Sequence, residues 1–230
     1  MAWLDMARFT KSEKDSTFVD IQLDLVKLEG NLSIPKNSIG IVLFAHGSGS
    51  GRMSPRNRFV ARELNQNGIA TLLFDLLTRE EEEIDMQTTH LRFDIPLLSQ
   101  RLVETTDWFL KSFKNANLNV GYFGASTGAA AALVAAAERP DVVKAVVSRG
   151  GRPDLAGSSL GSVQCPTLLL VGGYDDVVID LNKQAMAKLK SKKKLIIIPE
   201  ATHLFEEPGK LEEVAQHASN WFLQYLGEPN

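Results

Sequence analysis

The sequence predicts an α/β fold: a mostly parallel central sheet with an antiparallel N-terminal edge and helices on both faces. Three observations predict it. Short runs dominated by apolar residues, such as Ile41 to Ala45, read as strands buried on both faces. Segments of helical length and periodicity separate them, the pattern of strand–helix–strand crossovers. The first two strand-like segments are joined too closely for a crossover helix, so they pair antiparallel.

Each element has its own signal. Phe18 to Leu25 alternates, with Val19, Ile21, Leu23 and Leu25 on one face, as a half-buried strand does. Leu28 to Ile34 pairs with it and stops at Pro35. Ile41 to Ala45 is the first parallel strand, followed by a loop at residues 47–51. Phe59 to Asn67 reads as a helix closed by Gly68, and Thr71 to Phe74 as the next buried strand. Asp94 and Pro96 open a long helix that runs to about Phe113, with proline in its first turn. Leu118 to Phe123 is a strand, and Ala129 to Glu138 a helix stopped by Pro140. Val142 to Val147, Thr167 to Val171 and Leu195 to Ile198 are further strands. A helix over Leu181 to Leu189 separates the last two. Leu211 to Leu226 closes the chain, with Leu211, Val214, Ala215, Ala218, Phe222 and Tyr225 on one face. Residues 1–16 read as a polar arm and residues 17–230 as one domain, without repeat, linker or composition break.

Composition narrows the function classes. Of 230 residues, 44% are hydrophobic and 23% charged, which excludes wholesale disorder. A net charge of −3 argues against a nucleic-acid partner, which calls for a basic footprint. The single cysteine, Cys165, permits no internal disulfide and no cysteine-rich zinc site. No basic start and apolar core mark a signal peptide, and no apolar run approaches the ~18 residues of a membrane span. A soluble, reducing, cytoplasmic setting is expected.

In such sheets, function collects in loops at the carboxyl ends of the strands. The sharpest signal there is Gly124-Ala125-Ser126-Thr127-Gly128, between a strand and an Ala-rich helix. It is a G-x-S-x-G nucleophile elbow in strand–turn–helix context. A Cβ at 124 or 128 would crowd the neighbouring strand and helix. A serine hydroxyl needs a base, and chain order demands an acid and then a histidine. His217 falls within a helix off its apolar face. His46 and His90 precede the elbow. His203, in the loop after Leu195 to Ile198, is the well-placed base. The acid lies in Gly172-Gly173-Tyr174-Asp175-Asp176-Val177-Val178. Asp175 is preferred over Asp176 because Val178, three residues on, returns to the core. Its role is to hold the imidazole tautomer and stabilise the imidazolium.

Oxyanion donors are expected from the N–H of Thr127 and from the loop His46-Gly47-Ser48-Gly49-Ser50-Gly51, with Ser48 preferred and Gly49 next. The same glycines do not make a nucleotide cradle. A dinucleotide fingerprint needs glycine where Arg52 stands, and no Gly-Lys-Ser/Thr ending follows. Arg149, Arg152 and Arg52 are candidates to meet a substrate carboxylate or phosphate, against the plainer reading that they tie loops to nearby acids. Arg79-Glu80-Glu81-Glu82-Glu83 reads as a solvated loop, with a short lid as the alternative.

HGSGSG after a strand, GASTG at an elbow, GGYDDVV and then ATH resemble the α/β-hydrolase superfamily. The size, the missing cap insertion and Ser148-Arg149-Gly150-Gly151-Arg152-Pro153-Asp154 resemble its dienelactone-hydrolase-like branch. The resemblance spans roughly residues 18–227. Dienelactone hydrolases proper carry cysteine at the elbow, where this chain has Ser126, which favours a general ester hydrolase. Cys165, before Pro166, reads as structural. The resemblance implies an acyl-enzyme on Ser126, a small-molecule ester substrate, and no metal or cofactor. A thioesterase or acyltransferase on the same residues is the alternative within enzymes, and a non-catalytic binding scaffold the alternative outside them. Oligomeric state is not legible.

Overall fold

The computed structural model describes residues 16–227; all but the last residue of the expected polar arm lies outside them. Eight strands form one sheet: β1 (Thr17–Gln22), β2 (Lys27–Ser33), β3 (Gly40–Ala45), β4 (Ala70–Phe74), β5 (Asn119–Ala125), β6 (Val143–Arg149), β7 (Thr167–Gly172) and β8 (Lys193–Ile198). Their spatial order is β1-β2-β4-β3-β5-β6-β7-β8. β1 and β2 are antiparallel to their neighbours, and β3 to β8 run parallel.

Six α-helices connect them: α1 (Pro55–Gln66), α2 (Arg79–Thr88), α3 (Ile95–Ser112), α4 (Thr127–Glu138), α5 (Asp176–Lys188) and α6 (Lys210–Leu226). One sheet face packs on Leu98, Leu102 and Phe109 of α3 and on the alanines of α4. The other packs on Val60 and Leu64 of α1 and on Val214 and Phe222 of α6. The all-buried β3, β4 and β7 explain their apolar runs. Every parallel strand points its carboxyl end to the same edge, so the loops singled out above share one rim.

Four boundaries differ from the sequence reading, each for a local reason. β1 ends at Gln22 because a Leu23 N–H to Val26 O bond turns the chain, leaving Leu25 exposed. α1 starts at Pro55 rather than Phe59, capped by the Ser54 hydroxyl. α5 starts at Asp176 rather than Leu181. The acidic run is not a loop: it is the first turn of α2, closed by a capping box in which Thr78 and Glu81 bond each other's backbone N–H. Three glutamates in that turn complement the positive helix end.

Candidate active site

The elbow has the geometry its glycines imply. Ser126 holds φ 51° and ψ −121°, a strained conformation for a residue with a side chain. A Cβ on Gly124 would lie 2.4 Å from Ala129 Cα, and one on Gly128 would lie 2.2 Å from Ala45 O. Two backbones therefore approach α4 that only glycine admits. Ser126 is held through its main chain. Its N–H donates to Arg149 O at 3.2 Å, and its carbonyl accepts from Ala129 N–H and Arg152 N–H at 3.1 and 3.0 Å. It occupies the N-cap position of α4, yet its hydroxyl makes no capping bond.

His203 and Asp175, 28 residues apart, are brought together. Asp175 Oδ2 lies 2.6 Å from His203 Nδ1. With that bond donated by Nδ1–H, Nε2 carries a lone pair, as a general base requires. Asp175 stands at the N-cap of α5 but caps nothing, because its side chain turns to the imidazole. Asp176 is exposed in the first turn of α5. The His203 ring lies above Gly150, where an added Cβ would stand 3.5 Å from Cε1.

Ser48 and Thr127 also meet. The Ser48 N–H donates to Thr127 Oγ1 at 3.1 Å, and the two hydroxyls lie 3.2 Å apart. The N–H of Thr127 belongs to the first turn of α4, where no intrahelical acceptor exists. A cavity of about 510 Å³ opens beside this pair, lined by Leu76, Leu77, Met86 and Leu98 together with Asp75 and Glu82.

His46 is a clamp rather than a base. Its Nε2 accepts the Leu76 N–H at 3.0 Å and Nδ1 lies 3.0 Å from Gly47 O, which joins the loops after β3 and β4. Burial lowers its pKa, against the opposing pull of Gly47 O, Asp75 and Glu82. Cys165 is a buried free thiol, pushed up to about 12 by desolvation. It is chemically quiet.

The three arginines fare differently. Arg52 bonds Asp75 at 2.5 Å and Glu29 at 2.6 Å, and Arg152 makes a bidentate pair with Asp154 at 2.9 and 2.8 Å. Both forks are occupied within the fold, so the expectation that they meet a substrate anion gives way to the loop-tying reading. Arg149 is buried at the end of β6, and among the described residues its side chain pairs with no acid. The sequence reading missed the Asp85–Arg92 pair under the cavity, with Arg92 Nε 2.5 Å from Asp85 Oδ2. Burial opposes the Asp85 carboxylate, but bonds from the Arg92 backbone and side chain outweigh it and hold its pKa low. Thr127 Oγ1 was likewise missed as a partner for Ser48. Neither pairing has a local sequence signature.

A strained serine at a strand–helix elbow, with a histidine and an aspartate on later loops of one parallel sheet, defines an α/β-hydrolase. The chain belongs to the dienelactone hydrolase family, whose model matches residues 28–227. It is 63% identical to the dienelactone hydrolase of Anabaena variabilis ATCC 29413, with a TM-score of 0.89 over 91% of this chain and 97% of that one. Est1E from Butyrivibrio proteoclasticus shares the fold, with a TM-score of 0.76 at 17% identity over 92% and 99% of the two chains. A Mycobacterium tuberculosis protein named "Putative phosphoribosyl transferase" is 57% identical over 204 residues. That match takes in 89% of this chain and 45% of the relative, so the chain spans less than half the length of the curated relatives it matches. Among the described residues no helix is long and apolar enough to cross a membrane.

Proposed function

We propose that the protein hydrolyses a carboxylic ester of a small or medium-sized substrate through an acyl-enzyme on Ser126. His203 takes the Ser126 proton as the hydroxyl attacks the ester carbonyl, and Asp175 orients the ring and stabilises the imidazolium. The backbone N–H of Thr127 receives the developing oxyanion, joined by that of Ser48 as it turns from its bond to Thr127 Oγ1. The proton on His203 passes to the leaving alcohol. Water, deprotonated by His203, then attacks the acyl carbon, and collapse of that intermediate returns the acid and Ser126.

The observation that carries this reading is the 2.6 Å contact between Asp175 and His203, made by two loops on the same edge of the sheet as the loop of Ser126. A serine–histidine–aspartate site performs acyl transfer. The reading therefore follows the family and the site rather than the transferase name of the mycobacterial relatives, most of whose length lies outside the match. A reducing, cytoplasmic setting suits the free thiol of Cys165.

The test is labelling with a fluorophosphonate serine probe, followed by peptide mapping, alongside Ser126→Ala. The expected result is a label confined to Ser126, and a folded Ser126→Ala protein that takes none. Hydrolysis of p-nitrophenyl esters then falls by about 10³-fold or more in the variant. A folded wild-type protein that resists the probe and turns over no ester would overturn the triad and favour the binding scaffold.

A further inference from the structure

Asn182 lies in the middle of α5 with none of its surface exposed. A buried helix position calls for an apolar side chain, and asparagine is among the weaker helix formers. The amide is also poorly provided for. Its Nδ2 donates to Val178 O at 2.8 Å, one turn back in its own helix, and to Gly151 O at 3.0 Å, 31 residues away in the chain. Its Oδ1 is sealed from solvent without a hydrogen-bond partner. Turning the amide over would set Oδ1 against two carbonyls, so its orientation is fixed. A buried acceptor left unmatched costs stability, and a leucine of similar volume would avoid that cost. What the amide supplies and leucine would not is the bond to Gly151.

Gly151 belongs to a four-residue segment that touches both Ser126 and His203. Arg149 O accepts the Ser126 N–H at 3.2 Å, and the Arg152 N–H donates to Ser126 O at 3.0 Å, so the segment grips the main chain of the nucleophile at both ends. Between them Gly150 holds φ 50°, close under His203: a Cβ there would stand 3.0 Å from His203 O and 3.5 Å from Cε1. Gly151 is packed against α4, where a Cβ would lie 2.0 Å from Ser148 Oγ and 2.6 Å from Ala129 Cβ. Asn182 reaches the same residue from α5, the helix whose N-cap is Asp175. Asn182 follows Asp175 by about two turns, which puts the two on one face of the helix. Among the described residues no other hydrogen bond joins α5 to residues 149–152.

We infer that Asn182 is a positioning residue of the active site: by holding Gly151 O it locks α5, and with it Asp175, to the segment that grips Ser126 and lies under His203. The effect on turnover rests on the hydrolase reading; the effect on the Asp175–His203 bond does not. Without the amide, α5 meets this segment through packing contacts that tolerate small shifts. A shift near 1 Å in a reacting constellation costs about 10²-fold in rate.

The test compares Asn182→Leu with Asn65→Leu in the full chain. Asn65 is the control because its Nδ2 also bridges two groups, Ile69 O at 2.9 Å and Thr71 Oγ1 at 3.0 Å, but at the amino end of β4, on the far edge of the sheet. One readout is kcat and KM on p-nitrophenyl acetate, beside a thermal melt. The other is the downfield proton resonance of the His203 Nδ1–H bonded to Asp175, assigned by its absence in His203→Gln, which needs no turnover. Asn182→Leu lowers kcat by about tenfold or more with KM within about threefold, and shifts the His203 resonance upfield as its hydrogen bond lengthens. Asn65→Leu moves the melt but neither readout. Asn182→Ser carries the test if the leucine variant fails to fold, since its hydroxyl can bond the Val178 carbonyl one turn back but is too short for Gly151.

A folded Asn182 variant with kcat within about twofold of wild type overturns this role. So does an unmoved His203 resonance, or a kcat loss that Asn65→Leu matches. If the wild-type protein turns over no ester and the resonance still shifts in Asn182→Leu, the hydrolase reading fails and the positioning role stands.

Discussion

Replacing Gly128 by alanine isolates what the elbow does. The added Cβ would stand 2.2 Å from Ala45 O and 2.4 Å from His46 O, where ordinary contact begins at 3.4 Å. The neighbours are backbone, so no side chain swings aside, and α4 must separate from the β3 loop by about 1.2 Å to restore contact. Two effects follow. Overpacking costs about 1–3 kcal/mol, partly offset by alanine's better helix propensity, about 1 kcal/mol. At roughly 2–4 °C per kcal/mol for a chain of this size, the melting temperature falls by no more than several degrees. The catalytic loss is larger. α4 carries Ser126 and Thr127, while the β3 loop carries Ser48, so the same shift opens the distance between nucleophile and oxyanion donor. A misplacement near 1 Å costs about 10²-fold. The assay is kcat/KM on p-nitrophenyl acetate together with a thermal melt. A Gly128→Ala enzyme with at least half the wild-type kcat/KM would refute the argument that backbone approach at Gly128 sets the site.

Further outcomes test single contacts. Asp175→Asn lowers kcat by about 10³–10⁴-fold, as loss of the correct imidazole tautomer does, whereas Asp176→Asn stays within about threefold; equal losses would remove Asp175 from its role. Thr127→Val leaves the Ser48 N–H without its acceptor, costing about 1–3 kcal/mol in a melt, and lowers kcat by about tenfold, short of the ~10²–10³ for a lost oxyanion donor. His46 has a folded pKa below its ordinary value of 6.5, so the unfolded chain binds the extra proton first. Its contribution to stability is full above pH 6.5 and is lost as pH falls through the lowered value. A wild-type melting temperature that drops between pH 6.5 and 5 no faster than that of His46→Gln would contradict the clamp.

What was legible in the sequence is what short-range chemistry determines. Gly124 and Gly128 announce the elbow because only glycine admits the backbone contacts at 2.4 and 2.2 Å. The buried strands announce themselves because both faces are covered. The misread elements lack such signals. α2 shows no apolar stripe: Ile84 and Met86 are exposed, and its start depends on the Thr78–Glu81 box rather than on burial. The first turn of α5 sets an exposed Val177 beside the buried Val178 and Ile179, a β-branched run that lacks the spacing of an amphipathic helix start. In β1 the alternation runs on through Leu25, past the turn that ends the strand. The arginine pairings are beyond local reading altogether, since Arg52 finds Glu29 and Asp75, each 23 residues away.

The helix starts divide by function in a way no local rule foretells. Ser54, Thr78 and Asp94 stand at the N-caps of α1, α2 and α3, and each accepts a backbone N–H of its own helix. Ser126 and Asp175 stand at the N-caps of α4 and α5, are equally good capping residues by type, and cap nothing. A missing cap costs about 1 kcal/mol, so the two together forgo roughly 2 kcal/mol, a large share of the 5–15 kcal/mol that holds a domain folded. Asp175 gives up its cap for the bond to His203. Ser126 is held so that its hydroxyl is not spent on capping α4, which leaves it available to a base. α6 starts at Gly209, which has no side chain to cap with; the two uncapped starts that carry a capping side chain lie at the carboxyl edge, where the loops of β5 and β7 meet that of β8. Stability withheld at those two positions, beside three helices that take it, is the pattern expected where side chains serve chemistry rather than folding.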